Sequence, residues 1–373
     1  MFNKPFSFLA IRQGTRWLGA VLAALLIQPL LAAPACADQA AGHFAAHYAR
    51  PALQHFHEQA QILTASLTAV CGPDAAEAVT TLGQPFKNVL IAWSALVPLR
   101  FGPLVEQNRF EKLYFWPDPR GLTQRQSGPF ITGNTPLDTA SPLSGYSVAL
   151  QGLPALEQAL YGTNGLLVTE TYKTSACRYA QAVSALITAR AKELQHAWTN
   201  DQENTFGYLF THPGRENPLF RSQQEVHNEL MKALTGGLQF LNTMELRPMQ
   251  GSTHDSALPR RGPFNRSNNT FTFLKARTHA LQNLYQQAGF NVPESAHWAE
   301  AAFLSELKRA GHTLDELETL TRNQAPVTPE QAVQFNRLIT LVSHQLGNAH
   351  AILAGDIAPA AGITLGFNAL DGD

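Results

Sequence analysis

Apolar residues recur along this chain at intervals of three and four, a period that leaves little room for any fold but a helical one. Between Gly42 and Val70, the residues Leu53, Phe56, Ala60, Leu63 and Leu67 fall on one helix face. Cys71-Gly72-Pro73 ends that helix, and Pro51 either bends it or starts its regular part. A second helix runs from Asp74 or Gln84 to Arg100. Its stripe of Phe86, Leu90, Trp93, Val97 and Arg100 puts the arginine on the buried face. Further helices are expected at Pro142–Tyr161 and at Thr171–Thr199, the latter with Ala182, Leu186, Ala189 and Leu194 inward. Later come Arg221–Met244, Asn268–Ala288, Ser295–Lys308 with a short partner at Leu314–Thr321, and Pro329–Leu353. Strand signals are scarce, so the fold class is all-α.

The first 37 residues do not belong to that fold. Lys4, Arg12 and Arg16 form a positive region, Leu18–Leu31 a mostly apolar one, and Ala35-Cys36-Ala37 a small-x-small cleavage pattern. The pattern is that of a signal peptide covering residues 1–37, for a periplasmic or otherwise exported protein. The rival is a lipoprotein anchored through Cys36, for which Pro34 and Ala35 are poor neighbours. No later stretch is long and apolar enough to span a bilayer, so the mature chain has no transmembrane segment. Losing three basic residues takes the net charge from −1 to about −4, with no clustered basic excess for nucleic acid. The mature length suggests two domains. The polar, turn-rich Asn200–Pro218 divides it into an N-terminal helical bundle, residues 38–200, and a C-terminal one, residues 201–373. The glycine-rich, apolar tail Gly362–Asp373 is expected to dock on the fold.

Two cysteines remain after cleavage, Cys71 and Cys177. In an oxidising compartment an isolated pair favours a disulfide over a metal site, with two free thiols as the alternative. His43 and His47 are four apart but have no acidic third ligand beside them, and they read as surface. There is no His-Glu-x-x-His, no Gly-x-Ser-x-Gly and no phosphate-binding glycine loop.

What remains is Gln151–Tyr161, QGLPALEQALY. Leu153, Leu156 and Leu160 give it a packed face, Glu157 sits at the edge of that stripe, and Pro154 should bend the helix. Upstream lies Phe101–Thr139, a long, irregular segment rich in Pro and Gly that includes LYFWPDPRG; loops of that length are often functional. Trp93, Arg100, Trp116, Asp118, Arg120 and Tyr161 surround Glu157 as candidate site residues. On composition and spacing alone the better reading is structural, with the aromatics as core and the arginines paired to Glu157 and Asp118.

FGP, FWPDPRG, QGLPALEQALYG, Arg266-Ser267 opening a helix, and the terminal GFNALDGD, taken in that order, resemble the imelysin-like family. The likeness is closest to its branch of predicted periplasmic proteins and covers essentially the whole mature chain. The resemblance implies two similar four-helix bundles packed side by side, with a site at their interface. It also implies a cell-envelope location and a part in bacterial iron uptake. The family was first grouped with metallopeptidases because of a Gly-x-His-x-x-Glu motif. Here Gly152 and Glu157 match that motif's glycine and glutamate, but Pro154 replaces the histidine. A proline offers no ligand, and a catalytic zinc needs about three. The expectation is therefore a non-enzymatic protein whose site holds Glu157, Trp93, Arg100, Trp116, Asp118, Arg120, Tyr161 and Arg266. Its partners would be a metal ion, a small anionic chelate or an envelope protein, with Glu157 as the one candidate metal ligand for iron or another divalent metal. An arginine-rich, aromatic cleft suits an anionic chelate better than a bare cation. The rival is a metal-dependent peptidase of the same family with displaced ligands such as Asp118 or a histidine from the other bundle.

Overall fold

The computed structural model describes residues 40–72, 81–137, 143–253, 256–322 and 328–365. The leader with Cys36, the alternative helix start at Asp74, and residues 366–373 of the tail lie outside them. Among the described residues the regular structure is helical, with no strand and a single antiparallel bridge between Gln250 and Ala257. The fold is all-α. No described helix is long and apolar enough to cross a membrane.

The first helix is one apolar stripe in three pieces: α1 (Ala40–Phe44), a π turn (Ala45–Ala49) and α2 (Arg50–Val70). Pro51 explains the seam. It brings no N–H and its ring crowds the carbonyl of His47, so a widened turn just before it absorbs the misfit. The second helix is shorter than its stripe suggests, since α3 covers only Gly83–Ser94. Pro98 cannot donate to a continuing helix, and the chain turns out there. Phe86, Leu90, Trp93 and Val97 stay buried, but Arg100 is exposed, its guanidinium over the rings of Phe110 and Phe240 at 4.3 and 4.9 Å.

The segment expected to be irregular contains α4 (Arg109–Leu113) and α5 (Leu122–Ile131). Asp118 starts α5: one carboxylate oxygen accepts from the Leu122 N–H and the other from the Thr123 N–H, each at 2.8 Å. This is an N-terminal cap that lies outside the usual spacing, which is why the periodicity missed it. Helix α6 is Gly152–Tyr161, and Pro154 puts no bend in it. The proline falls in the first turn, where its missing N–H would have had no helical partner. Gly152 makes the sharp entry, at φ +77°, and a Cβ there would lie 2.4 Å from the Leu113 carbonyl oxygen.

Helix α7 (Lys173–Thr199) packs along α2 and α6. Its buried face is Val183, Ile187, Arg190, Ala191 and Leu194, about one residue out of phase with the face expected. Ala182 and Leu186 are on its flank and Ala189 is exposed. Cys71, just after α2, and Cys177, in the second turn of α7, form a disulfide across 106 residues of sequence. The polar stretch after α7 holds a further short helix, α8 (Phe206–Thr211). Phe206 and Phe210 join Phe101, Trp198 and Phe220 in an aromatic cluster there.

The later helices are α9 (Gln223–Phe240), α10 (Thr270–Gln287), α11 (His297–Thr321), α12 (Pro329–Ile352) and α13 (Ala358–Ala360). A π turn (Leu241–Leu246) follows α9. The break expected in α11 is absent, because α11 packs closely against α12 and runs unbroken through Gly311 and His312. One continuous apolar core includes residues of every helix from α1 to α13 except the short cap-like turns between them, and α10 packs directly on α3. Ile363 and Leu365, the start of the tail, lie against that core.

Candidate functional site

A cleft of about 590 Å³ opens where α6, the loop leading into α5, and residues 244–266 meet. Its floor is Glu157, which is 3% exposed. One carboxylate oxygen accepts from the backbone N–H of Ser267 at 2.9 Å and from the Ser267 hydroxyl at 2.8 Å. Burial pushes the Glu157 carboxyl above its ordinary range. The Ser267 hydrogen bonds, the nearby Arg266 charge and the Arg266 backbone N–H oppose that rise without cancelling it. Beside it Gln158 is buried, and its Oε1 has no hydrogen-bond partner among the described residues. Tyr161 lies one turn further on, outside the lining. Burial first, and the Glu157 charge second, push its hydroxyl up to about 12.

One wall is aromatic. Trp116 is half-buried, and its Nε1 donates to the Met244 carbonyl at 3.0 Å, so the indole has no N–H left to offer a ligand. Its ring stacks on Tyr114, which in turn stacks on Phe264 with centroids 5.6 Å apart. Phe264 lines the cleft and Tyr114 supports it from behind. The Tyr114 hydroxyl donates to Glu245 at 2.9 Å, and Arg277 Nε donates to the other Glu245 oxygen at 3.3 Å. Glu245 and Arg277 are both fully buried. This ion pair anchors the wall in the core.

The rim is cationic. Arg260, Arg261 and Arg266 line it and are exposed. Arg266 Nη2 donates to Gln124 at 2.9 Å. Arg260 and Arg261 make no side-chain hydrogen bond or ion pair among the described residues. The two carboxylates in the cleft are committed to the protein, Asp118 to the start of α5 and Glu157 to Ser267.

Of the residues singled out from sequence, the cleft therefore brings together Glu157, Trp116, Asp118 and Arg266. Trp93 does not reach it: the side chain is wholly buried among Phe56, Phe110 and Tyr114. Arg100 stacks on Phe110 and Phe240, and Arg120 is exposed outside the lining. Sequence reasoning missed Phe264, Gln158, Arg260 and Arg261 as cleft residues, and Ser267 as the partner of Glu157. The only signal available was the run Arg260-Arg261 before Arg266-Ser267, which reads as an irregular link until the fold closes it onto α6.

The donor set fits a bare metal ion poorly. Among the described residues no three His, Cys, Asp or Glu side chains converge as metal ligands. Pro154 lines the cleft and offers no donor atom, while Glu157 already holds two hydrogen bonds beside an arginine.

Fold and cleft together define a class: an all-helical protein in which residues from both halves of the chain enclose an arginine-rimmed, aromatic-walled hollow. The imelysin family model matches residues 49–348, and the chain belongs to that family. Among solved structures it is similar to an imelysin-like protein from Psychrobacter arcticum 273-4. The TM-score is 0.64 at 19% identity, covering 89% of this chain and 97% of that one. It is also similar to a protein named as an iron-regulated protein A precursor from Parabacteroides distasonis ATCC 8503. There the TM-score is 0.62 at 10% identity, over 85% of this chain and 95% of the other. No curated protein sequence matches the chain.

Proposed function

We propose that this chain is an exported, non-enzymatic imelysin-family protein that binds an anionic metal chelate in the cleft, as part of iron acquisition. The observation that carries the reading is the charge arrangement of the cleft. Three arginines face it, while its carboxylates are turned to internal hydrogen bonds. Guanidinium forks match carboxylates two bonds at a time, so such a hollow favours a metal already wrapped in an anionic ligand. The iron-regulated name of one structural neighbour supports the iron part of this reading, and the leader supports export. A cleft volume of about 590 Å³ falls within the range of small-molecule sites.

Calorimetric titration of the protein with ferric citrate, haem and ferrous iron tests it. Binding of the citrate complex or haem, weakened at least tenfold by Arg261→Ala, is the expected result. Absence of binding by all three would overturn it. Binding of free ferrous iron alone would replace the chelate with a cation.

A further inference from the structure

A second hollow of about 530 Å³ lies beside the cleft, lined by Thr243, Arg247, Gln250 and Ser252 among others. Pro248 and Arg261 line both hollows, so the two adjoin with Arg261 standing between them. Among the described residues, no acidic side chain lines the second hollow. Arg247 is exposed and makes no side-chain hydrogen bond or ion pair among the described residues. Four guanidinium groups, Arg247, Arg260, Arg261 and Arg266, thus line these two adjoining hollows. They do so on a chain whose formal net charge is −1. Their clustering runs against the overall charge, and solvation alone would have been served by spreading them.

The aromatic surface is confined to one end. Trp116 and Phe264 belong to the cleft, whereas the second hollow is polar apart from Pro248 and Leu258. Because the Trp116 N–H is held by Met244, stacking is the recognition that this wall has left to give. A ligand matching both ends carries a flat aromatic part for the cleft and oxyanions far enough apart to reach Arg266 and Arg247 together.

We infer that the cleft and the adjoining hollow form one extended site for an aromatic polycarboxylate, with Arg247 as its outlying specificity residue. This rests on the anionic-ligand reading above and names the ligand class that the site takes. The second carboxylate group adds contacts at Arg247 and Arg261 without a second cost of association, so affinity rises with the number of separated carboxylates.

The test uses the full chain and two probes that share an aromatic body: biphenyl-4-carboxylate and biphenyl-3,3′,5,5′-tetracarboxylate. Calorimetry should give at least tenfold tighter binding for the tetracarboxylate. Arg247→Ala, which removes a side chain with no hydrogen bond or ion pair among the described residues, should reduce tetracarboxylate affinity about tenfold and leave the monocarboxylate unchanged. Equal affinity for the two probes, or a tetracarboxylate affinity indifferent to Arg247→Ala, overturns the extended site. If neither biphenyl binds while ferric citrate or haem does, this inference fails and the proposed function stands. If nothing in either series binds, both fail.

Discussion

Glu157 on α6 takes both the backbone and the side-chain hydrogen bond of Ser267, a residue 110 positions further along the chain. This contact ties the two sides of the cleft together at its floor, and it sets a pH dependence. The carboxyl is raised above its ordinary value of 4.5 by burial. From 4.5 up to the raised value, the folded state keeps a proton that the unfolded chain has released. Stability therefore falls as pH rises through that window and stays lowered above it. Glu157→Gln removes the titration. Urea unfolding at a series of pH values should show the variant gaining on the wild type as pH climbs from 4.5. A stability gap that does not change with pH would refute this assignment.

Ser267→Ala removes one of the two donors while leaving the backbone one. A hydrogen bond to a charged group contributes about 1.5–3 kcal/mol, so the variant should lose roughly that much at neutral pH and its pH window should extend upward. Equal stability of variant and wild type at pH 7 would mean that the hydroxyl bond is replaced by water.

Asp118 spends both carboxylate oxygens on the first N–H groups of α5. Asp118→Ala should cost about 1 kcal/mol as a lost helix cap, read by thermal or urea unfolding. The same pair of proteins separates the peptidase alternative. If zinc stabilises the wild type and Asp118→Ala abolishes that effect, Asp118 is a metal ligand and the capping assignment is wrong.

The Glu245–Arg277 pair is fully buried and carries the Tyr114 hydroxyl. Removing one partner strands a buried charge, so Glu245→Leu or Arg277→Met alone should cost about 3–5 kcal/mol. The double variant should cost less than the sum of the two, because no charge is left stranded. Additive losses in the double-mutant cycle would show that the two residues act independently.

The Cys71–Cys177 bridge closes a loop across 106 residues. The chain-entropy model assigns such a loop about 4.7 kcal/mol, and losses of roughly 2–5 kcal/mol are usual. Unfolding midpoints with and without a thiol reductant should differ accordingly, and Cys71→Ser should match the reduced wild type. Identical midpoints would mean that the α2–α7 packing already fixes the ends.

Periodicity located the helices that bury a broad face. The stripe of Leu53, Phe56, Ala60, Leu63 and Leu67 is all buried, and α9, α10 and α12 begin within two residues of where their patterns start. It failed where one backbone group decided the outcome. Pro98 ended α3 before Arg100, so an arginine on the right stripe became a surface residue. Pro154 was legible as a helix-disturbing residue but not as a helix-starting one, because that depends on Gly152 reaching φ +77° against Leu113. Half of the candidate site was legible, since Trp116, Asp118, Glu157 and Arg266 share one hollow. The other half was assembled by long-range contact. Nothing local in Ser267 announces that it will hold a carboxylate on α6, and nothing in Trp93 separates a core indole from a ligand-facing one.

The tryptophans give the molecule an optical readout of its own. Trp93 and Trp198 are sealed in the core and Trp298 is 61% exposed, and none of the three lines the cleft. Trp116 alone among the described indoles lines the hollow, with its nitrogen clamped to Met244. An occupant stacking on that ring would quench or shift one emission component and leave the others as an internal reference. Trp116→Phe would silence the signal while preserving an aromatic wall, so occupancy can be followed by unlabelled fluorescence.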